Sequence, residues 1–273
     1  MLSVTRYRIK DKRLKPWINF IWCLETKSDV LVHHKILPTN NIDIVLNLSE
    51  DINYQVNNEN FKAGKFYINF IRNNHGYISQ NGKLKVWGIS FYPFGLYPFI
   101  KIPLTNFKNC NIINLDNFSK TFKNMLEGEF LLRKNKIDTV ENIEQILVSM
   151  LSDEDEDTKI IEIISNFINI NKEISIKSFC SQYSLNEKTL ERYFLKYIGY
   201  TPYKLKRIEK FQKSCNNLVF QKDYSNFSEL AQNNEYYDQA HFIREFKNFS
   251  GTTPGKFLKE RTSIKENTNY IYL

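Results

Sequence analysis

A short internal repeat in the last third of this 273-residue chain constrains its fold more than any other feature of the sequence. Five positions recur 52 residues later with unchanged spacing. The recurring pairs are Arg192 and Arg244, Phe194 and Phe246, Gly199 and Gly251, Thr201 and Thr253, and Pro202 and Pro254. Further upstream the offset falls to 51, so the turn of the second copy holds one extra residue. The chain therefore contains two copies of one small structural unit.

The apolar spacing in each copy predicts two helices joined by a tight turn. In the first copy, Ser175 occupies a helix N-cap position, and apolar residues then follow at i, i+3 and i+7 from Ile176. Residues 184–186 interrupt this pattern, and a second apolar stripe runs from Leu190 to the terminating Gly199. The sequence thus predicts a helix, a turn and a helix, twice.

The second helix of each copy has a polar outer face opposite its apolar stripe. A DNA-recognition helix needs this division, because one face packs against the protein and the other meets the bases. The outward side chains can hydrogen-bond base edges or phosphates. They are Lys188, Thr189, Glu191 and Arg192 in the first copy, and Asp238, Gln239, His241 and Arg244 in the second. The alternative is two surface helical hairpins whose polar faces contact only water.

The segment 174–260 resembles the DNA-binding domain of the AraC/XylS family of bacterial transcription regulators. The strings DQAHF, REFK and GTTP, which begin at Asp238, Arg244 and Gly251, carry the resemblance. It implies two helix-turn-helix units joined by a linker helix, with recognition helices at about 187–197 and 238–249 in successive major grooves. Carried over by position, it also implies base contacts from Lys188, Glu191, Arg192, Gln239, Ala240, Ile243 and Arg244.

The chain departs from the family pattern at two kinds of position. The family usually has glycine at the turn before each recognition helix, where this chain has Ser184 and Glu235. A residue other than glycine at a positive φ costs about 1 kcal/mol. The first copy also has Phe179 and Cys180 where the family prefers Leu-Ala. The second copy, with Leu-Ala at 230–231, is therefore expected to be the better formed of the two.

The net charge of +8 is concentrated in the region of the repeat. Residues 1–158 hold 20 Lys and Arg against 18 Asp and Glu, whereas residues 159–273 hold 18 against 12. Among the basic residues between the two copies, Lys204 and Arg207 are predicted to contact DNA phosphates, which supplies affinity without base discrimination. The alternative for such residues is a solvated basic helix face.

An acidic cluster at 153–158 is predicted to be a linker between two domains. Before it, in 1–152, short β-branched and aromatic runs at 42–48, 66–71 and 84–91 are separated by Asn, Gly and Pro, which indicates a β-rich domain followed by helices. Pro16 and Trp17, the run LPTNNIDIVLNL from Leu37 and the run VWGISFYPFG from Val86 follow in an order that resembles the sensor-like domain preceding the DNA-binding domain in one branch of the family. This resemblance covers residues 5–115 and implies a cupin-like barrel. The expected fold class is α+β, with an all-α DNA-binding domain at 159–262 and a tail at 263–273.

The β-rich domain is expected to bind an effector or to dimerise. A small-molecule pocket needs apolar walls and a few polar groups, and the candidates are Asn41, Asp43, Trp87 and Tyr92. His33, His34 and His75 lack the spacing of a metal site, and the four cysteines form no C-x-x-C pair, so no metal or cofactor is expected. The chain also lacks catalytic motifs, a signal peptide and a membrane span, so we expect a cytoplasmic protein that is not an enzyme.

These observations predict a sequence-specific transcription activator or repressor that binds double-stranded promoter DNA. A small-molecule effector, RNA polymerase and a second copy of the chain are its other expected partners. The alternative function is a helical protein-interaction module with a constitutive dimerisation domain and no ligand.

Overall fold

The computed structural model describes residues 2–57, 59–108, 110–115, 123–124, 126–128, 136–151, 157–170, 174–221 and 223–263. Ten strands make up most of its N-terminal part. They are β1 Leu2–Tyr7, β2 Ile18–Thr26, β3 Val30–Ile36, β4 Ile42–Asn47, β5 Ile52–Val56, β6 Glu59–Ala63, β7 Phe66–Asn69, β8 Gly76–Gly82, β9 Lys85–Phe91 and β10 Ile112–Asn114. The three runs in which the sequence predicted strands become β4, β7 and β9.

The strands form two antiparallel sheets that pack face to face. One has the order β1-β2-β9-β4-β7-β10 and the other β3-β8-β5-β6. Side chains of both sheets share one apolar core, to which Trp22, Val45 and Tyr67 contribute from the first sheet and Val32 and Tyr54 from the second. The opposite face of the six-stranded sheet packs against the helices. Every residue of β4 is buried because both faces of its sheet are covered.

Helices dominate the rest of the described chain. They are α1 Tyr97–Ile100, α2 Lys136–Met150, α3 Thr158–Asn169, α4 Ile176–Gln182, α5 Glu187–Ile198, α6 Pro202–Asn216, α7 Phe227–Asn233, α8 Gln239–Ser250 and α9 Pro254–Ser263. A 3-10 turn spans Leu104–Phe107, and a π turn at Asn217–Gln221 continues α6. The predicted α+β class, with a β-rich part followed by a helical part, is confirmed.

The predicted domain boundaries are only partly visible. Of the acidic linker at 153–158, residues 153–156 lie outside the described residues, and Thr158 is already the first residue of α3. Of the tail at 263–273, only Ser263 is described, and it ends α9. Within the described part of the chain, no helix has the length and apolar character needed to cross a bilayer. In the same part, no group of three His, Cys, Asp or Glu side chains is placed to hold a metal ion.

Candidate nucleic-acid interface

The first helix-turn-helix unit consists of α4, a four-residue turn and α5. Ser175 caps α4, as predicted, by accepting a hydrogen bond from the amide of Ser178. Asn186 caps α5 by accepting one from the amide of Thr189 at 2.7 Å. Ser184 takes φ 53° in the turn, and Gly199 ends α5 in the left-handed region at φ 83°. Local side-chain chemistry therefore fixes both ends of the first recognition helix.

The second unit repeats this construction with α7, a five-residue turn and α8. Glu235 takes φ 62° in the turn, and Gly251 ends α8 at φ 75°. Asp238 caps α8, since its carboxylate accepts a hydrogen bond from the amide of His241 at 2.6 Å. The capping role occupies one of the side chains that the sequence assigned to DNA contact. The one-residue difference between the two turns, read from the offset of the repeat, is confirmed.

The outward positions of both recognition helices are solvent-accessible to different degrees. Leu190, Phe194, Phe242 and Phe246 are completely buried and face the protein interior. The predicted contact residues that are exposed are Lys188, Glu191, Arg192, Asp238, Gln239, Ala240 and Arg244, whereas Thr189, His241 and Ile243 are half-buried. The structure thus places the predicted residues of each helix on one accessible face.

The linker helix α6 joins the two units and carries the basic residues between them. Arg207 does not point freely outward: its Nε and Nη2 donate two hydrogen bonds of 2.8 Å to the carboxylate of Glu245 on α8. This hydrogen bonding raises the pKa of Arg207. Its guanidinium also lies 5.4 Å from the ring centre of Phe249. Arg207 therefore ties α6 to the second recognition helix, while Lys204 stays exposed.

A groove of about 600 Å³ lies between α6 and the second unit. It includes the basic side chains Lys206, Lys210 and Lys213 on one side and His241 on the other. Two exposed aromatic residues flank this region, Tyr203 on α6 at 65% exposure and Tyr237 before α8 at 92%. Neither tyrosine belongs to the outward positions that the repeat predicts. The exposure of Tyr237 could have been predicted from the sequence. It stands in a polar turn directly before the N-cap Asp238, outside the apolar stripe of α8.

The β-rich part contacts the C-terminal ends of both recognition helices. A Cβ added to Gly199 would lie 2.8 Å from the carbonyl oxygen of Leu104, and one added to Gly251 would lie 2.4 Å from the ring of His75. The hydroxyl of Thr105 also donates a hydrogen bond of 2.6 Å to the carbonyl of Leu195 in α5. Gly199 is therefore required by its close approach to backbone as well as by its positive φ, whereas Gly251 is favoured by its positive φ and has the ring of His75 packed against it.

The four residues proposed for an effector pocket do not come together. Asp43 lies between the sheets at 5% exposure and accepts a hydrogen bond of 3.4 Å from Nε1 of Trp22. Trp87 lies on the opposite face of the same sheet and stacks on Tyr7. The other two make local contacts: Tyr92 stacks on Phe94, and the amide of Asn41 donates to Thr39. In the register of β4 and β9, residues 43 and 87 have opposite parity, so their side chains lie on opposite faces of the six-stranded sheet.

Two capped helix-turn-helix units, each with an accessible polar recognition face, define a helix-turn-helix DNA-binding protein. Residues 179–260 match the family described as "Helix-turn-helix domain", and residues 11–112 match a "Domain of unknown function (DUF6597)". The chain is a DNA-binding transcription regulator with an AraC-type helix-turn-helix domain at its C-terminal side, as the sequence resemblance implied.

Several solved structures are similar to this chain at low sequence identity. ToxT from Vibrio cholerae O395 is 12% identical, with 88% of this chain and 100% of that chain covered and a TM-score of 0.44. Unsaturated fatty acid bound wild-type ToxT from Vibrio cholerae strain SCE256 is 10% identical, with 86% and 96% covered and a TM-score of 0.42. The AraC-like transcriptional activator CuxR is 12% identical, with 79% and 87% covered and a TM-score of 0.28. A comparison with curated proteins gave no significant match.

Proposed function

We propose that the chain regulates transcription by placing α5 and α8 in two successive major-groove segments on one face of promoter DNA. Such segments are about 34 Å apart, one turn of the double helix. The base contacts come from Lys188, Glu191 and Arg192 on α5, and from Gln239, Ala240, Ile243 and Arg244 on α8. Thr189, His241 and the capping Asp238 lie at the edges of these surfaces, and Lys204 contacts phosphate. Arg207 acts through Glu245 by holding α8 against α6.

The observation that carries this proposal is the equivalent construction of the two recognition helices. Each begins at an Asn or Asp cap, buries an aromatic or aliphatic face and ends at a left-handed glycine. Each also exposes an arginine at the same repeat position, Arg192 or Arg244. Neither arginine forms an ion pair with another described residue, so both guanidinium groups are available to guanine or phosphate.

The dependence of binding on salt distinguishes this function from a helical protein-interaction module. A DNA complex releases counterions from the phosphates that lysine and arginine neutralise, so its affinity falls steeply as salt rises. An interface dominated by apolar contacts does not behave in this way. Titration of the full chain with the promoter fragment beside its own gene, at several salt concentrations, should give a steep linear decrease of log affinity with log salt. A flat response would favour the protein-interaction alternative.

Removal of the arginine side chains is expected to weaken promoter binding. Arg244→Ala should cost about 1 to 3 kcal/mol in binding free energy at fixed salt, and Arg192→Ala should cost a similar amount if both helices read DNA. Fluorescence anisotropy with the footprinted promoter fragment measures both. Arg8→Ala, at an exposed arginine of the β-rich part, is the matched control and should bind like the wild type. Unchanged affinity in Arg192→Ala alone would leave only the second unit as a base reader.

We further propose that the β-rich domain gates DNA binding when it holds a small molecule. The support is its contact with the C-terminal ends of both recognition helices, through Leu104 at Gly199 and through His75 at Gly251. A ligand that shifts the β-rich domain would change the relative position of α5 and α8, and thereby the affinity for promoter DNA. Homodimerisation and contact with RNA polymerase stay predictions.

A further inference from the structure

Three polar side chains form a row inside the sandwich of the two sheets. Asp43 pairs in register with Asn69 of β7 on one side and with Ser90 of β9 on the other. The three residues are only 5%, 9% and 0% exposed. The next positions on this inner face hold Val45 and Tyr67, which belong to the apolar core between the sheets. A polar row across three adjacent strands therefore interrupts an otherwise apolar surface.

Aromatic side chains surround this row. The indole of Trp22 covers Gly88, where an added Cβ would come within 2.1 Å of its ring, and its Nε1 donates a hydrogen bond to Asp43. Tyr54 of the facing sheet and Tyr67 share a hydrogen bond of 2.9 Å between their hydroxyls. Aromatic faces beside a few fixed polar groups are typical of small-molecule sites.

Arg72 lies beside the row, near Asp43, and the Nε of its guanidinium is buried without a hydrogen-bond partner among the described residues. Its residue is 7% exposed, and no described residue accepts a hydrogen bond from its Nε. Burial lowers the pKa of its guanidinium, and the nearby Tyr54, Asp43 and Tyr67 offset that effect only in part. A buried guanidinium is normally hydrogen-bonded or paired, because a buried charge without a partner is strongly unfavourable. The buried Nε of Arg72 therefore has a hydrogen bond left to donate, which an anion from outside the chain can accept.

The row itself also has unused hydrogen-bonding capacity. The Oδ1 atom of Asn69 and the Oγ atom of Ser90 are buried and form no hydrogen bond of ordinary geometry with described residues. Ser90 is close enough to lower the pKa of Asp43, but burial has the larger effect and raises that pKa to about 6. Asp43, Asn69 and Ser90 together present acceptors and donors of the kind that bind hydroxyl groups.

We propose that Arg72, Asp43, Asn69 and Ser90 form the binding site for a small hydroxylated carboxylate. Its carboxylate pairs with the guanidinium of Arg72, and its hydroxyl groups hydrogen-bond the polar row. Trp22 and Tyr54 pack against its carbon skeleton. This inference rests on the proposed gating of DNA binding by a small molecule, and it assigns the residues and the ligand chemistry.

The site is adjacent to a contact with the DNA-binding region. The hydroxyl of Tyr200 donates a hydrogen bond of 3.2 Å to the carbonyl of Ile71, the residue before Arg72. Tyr200 directly follows Gly199, the cap of the first recognition helix. A ligand that moves Arg72 therefore also moves Ile71, whose carbonyl is hydrogen-bonded to the residue that follows the cap of α5.

Thermal unfolding of the full chain with chosen sugar derivatives tests the ligand chemistry. The probes are gluconate and galacturonate, and their matched uncharged controls are sorbitol and galactose. Hexanoate is the control that keeps a carboxylate and lacks hydroxyls. A ligand of the folded state at about one hundred times its Kd should raise Tm by about 5 to 10 °C in a chain of this size. We expect this rise with at least one of the two acids and with none of the controls. Absence of a rise with both acids, or an equal rise with an uncharged control, overturns the proposal.

Variants of the site test whether the ligand-induced rise in Tm comes from binding at these residues. Arg72→Met keeps the side-chain length and removes the charge, so the probes should no longer raise its Tm. Without ligand, its Tm should equal or exceed that of the wild type. Arg8→Met removes an exposed arginine of the same domain and should keep the rise. Ser90→Ala removes one hydroxyl and should lower the affinity for the probe several-fold. A full rise in Arg72→Met, or in Ser90→Ala if the first variant does not fold, contradicts the assignment.

DNA binding by the same proteins separates this inference from the proposed function. Arg8→Met without ligand should bind promoter DNA like the ligand-free wild type. If the wild type binds no DNA but its Tm rises with a hydroxylated acid, the ligand site is supported and the proposed regulator function is wrong. If it binds DNA and its Tm rises with neither acid, the regulator function is supported and the ligand site is wrong.

Discussion

Replacement of Phe246 by alanine is expected to lower the free energy of unfolding by about 3 to 5 kcal/mol. The side chain is completely buried, and its ring centre lies 5.3 Å from that of Phe211 on α6 and 5.4 Å from that of Phe257 on α9. It also contacts Phe242 on its own helix. One ring therefore joins the linker helix, the second recognition helix and the last helix, and its removal leaves a cavity among all three. Urea denaturation followed by circular dichroism measures the change.

Two further variants show whether the loss comes from the cavity. Phe246→Leu keeps most of the buried volume and should cost less than about 1.5 kcal/mol. Phe220→Ala removes a phenylalanine that is 56% exposed, and it should change stability by less than about 1 kcal/mol. If Phe246→Ala costs no more than Phe220→Ala, the ring cluster does not hold the second unit together.

The two units differ in what supports them. The equivalent of Phe246 in the first unit is Phe194, which packs against Phe167 of α3 at a ring distance of 5.1 Å. Phe179, which stands where the family prefers leucine, also contacts Phe167 at 5.0 Å and is completely buried. Additional support comes from the β-rich part through the 3-10 turn Leu104–Phe107. The expectation that the first unit is the less well formed rested on Phe179 and Cys180 alone, and it did not include these external contacts.

Local features of the helical region could be read from the sequence because they depend on neighbouring residues. The N-cap of Ser175 and the glycine ends of both recognition helices follow from local backbone and side-chain chemistry. The positions of Ser184 and Glu235 at positive φ follow from the repeat and from the family pattern, although neither residue favours that conformation. The helix-turn-helix architecture was therefore predictable to within a residue or two.

Contacts between distant segments could not be read in the same way. The pairing of Arg207 with Glu245 depends on the angle between α6 and α8, which apolar spacing does not give. The row of Asn69, Asp43 and Ser90 depends on the registers of three strands that are not consecutive in the chain. Of the four proposed effector residues, only Asp43 belongs to that row. A sequence pattern identifies a strand, but its partners decide which polar residues meet.

Conversion of Glu209 to glutamine is expected to stabilise the protein at alkaline pH by about 3 kcal/mol and to have little effect near pH 4. Glu209 lies on α6 at the contact with the β-rich part, where Nδ2 of Asn40 donates a hydrogen bond of 3.4 Å to its Oε1. Burial raises the pKa of Glu209 to about 7, and Asn40 and Lys206 offset that effect only in part. The folded state therefore holds a proton that the unfolded state releases once the pH exceeds the usual value of 4.5.

The direction of the pH effect follows from proton linkage. Below pH 4.5 both states are protonated, and the wild type and Glu209→Gln should be equally stable. Between pH 4.5 and 7 the unfolded state loses its proton first, so the wild type loses stability as the pH rises and the glutamine variant does not. Denaturation at pH 4.5, 6 and 8 measures the growing difference, with the exposed Glu162→Gln of α3 as a control that should follow the wild type. Parallel stability curves for Glu209→Gln and the wild type would show that the carboxyl of Glu209 is solvated and that the contact between α6 and the β-rich part is open in solution.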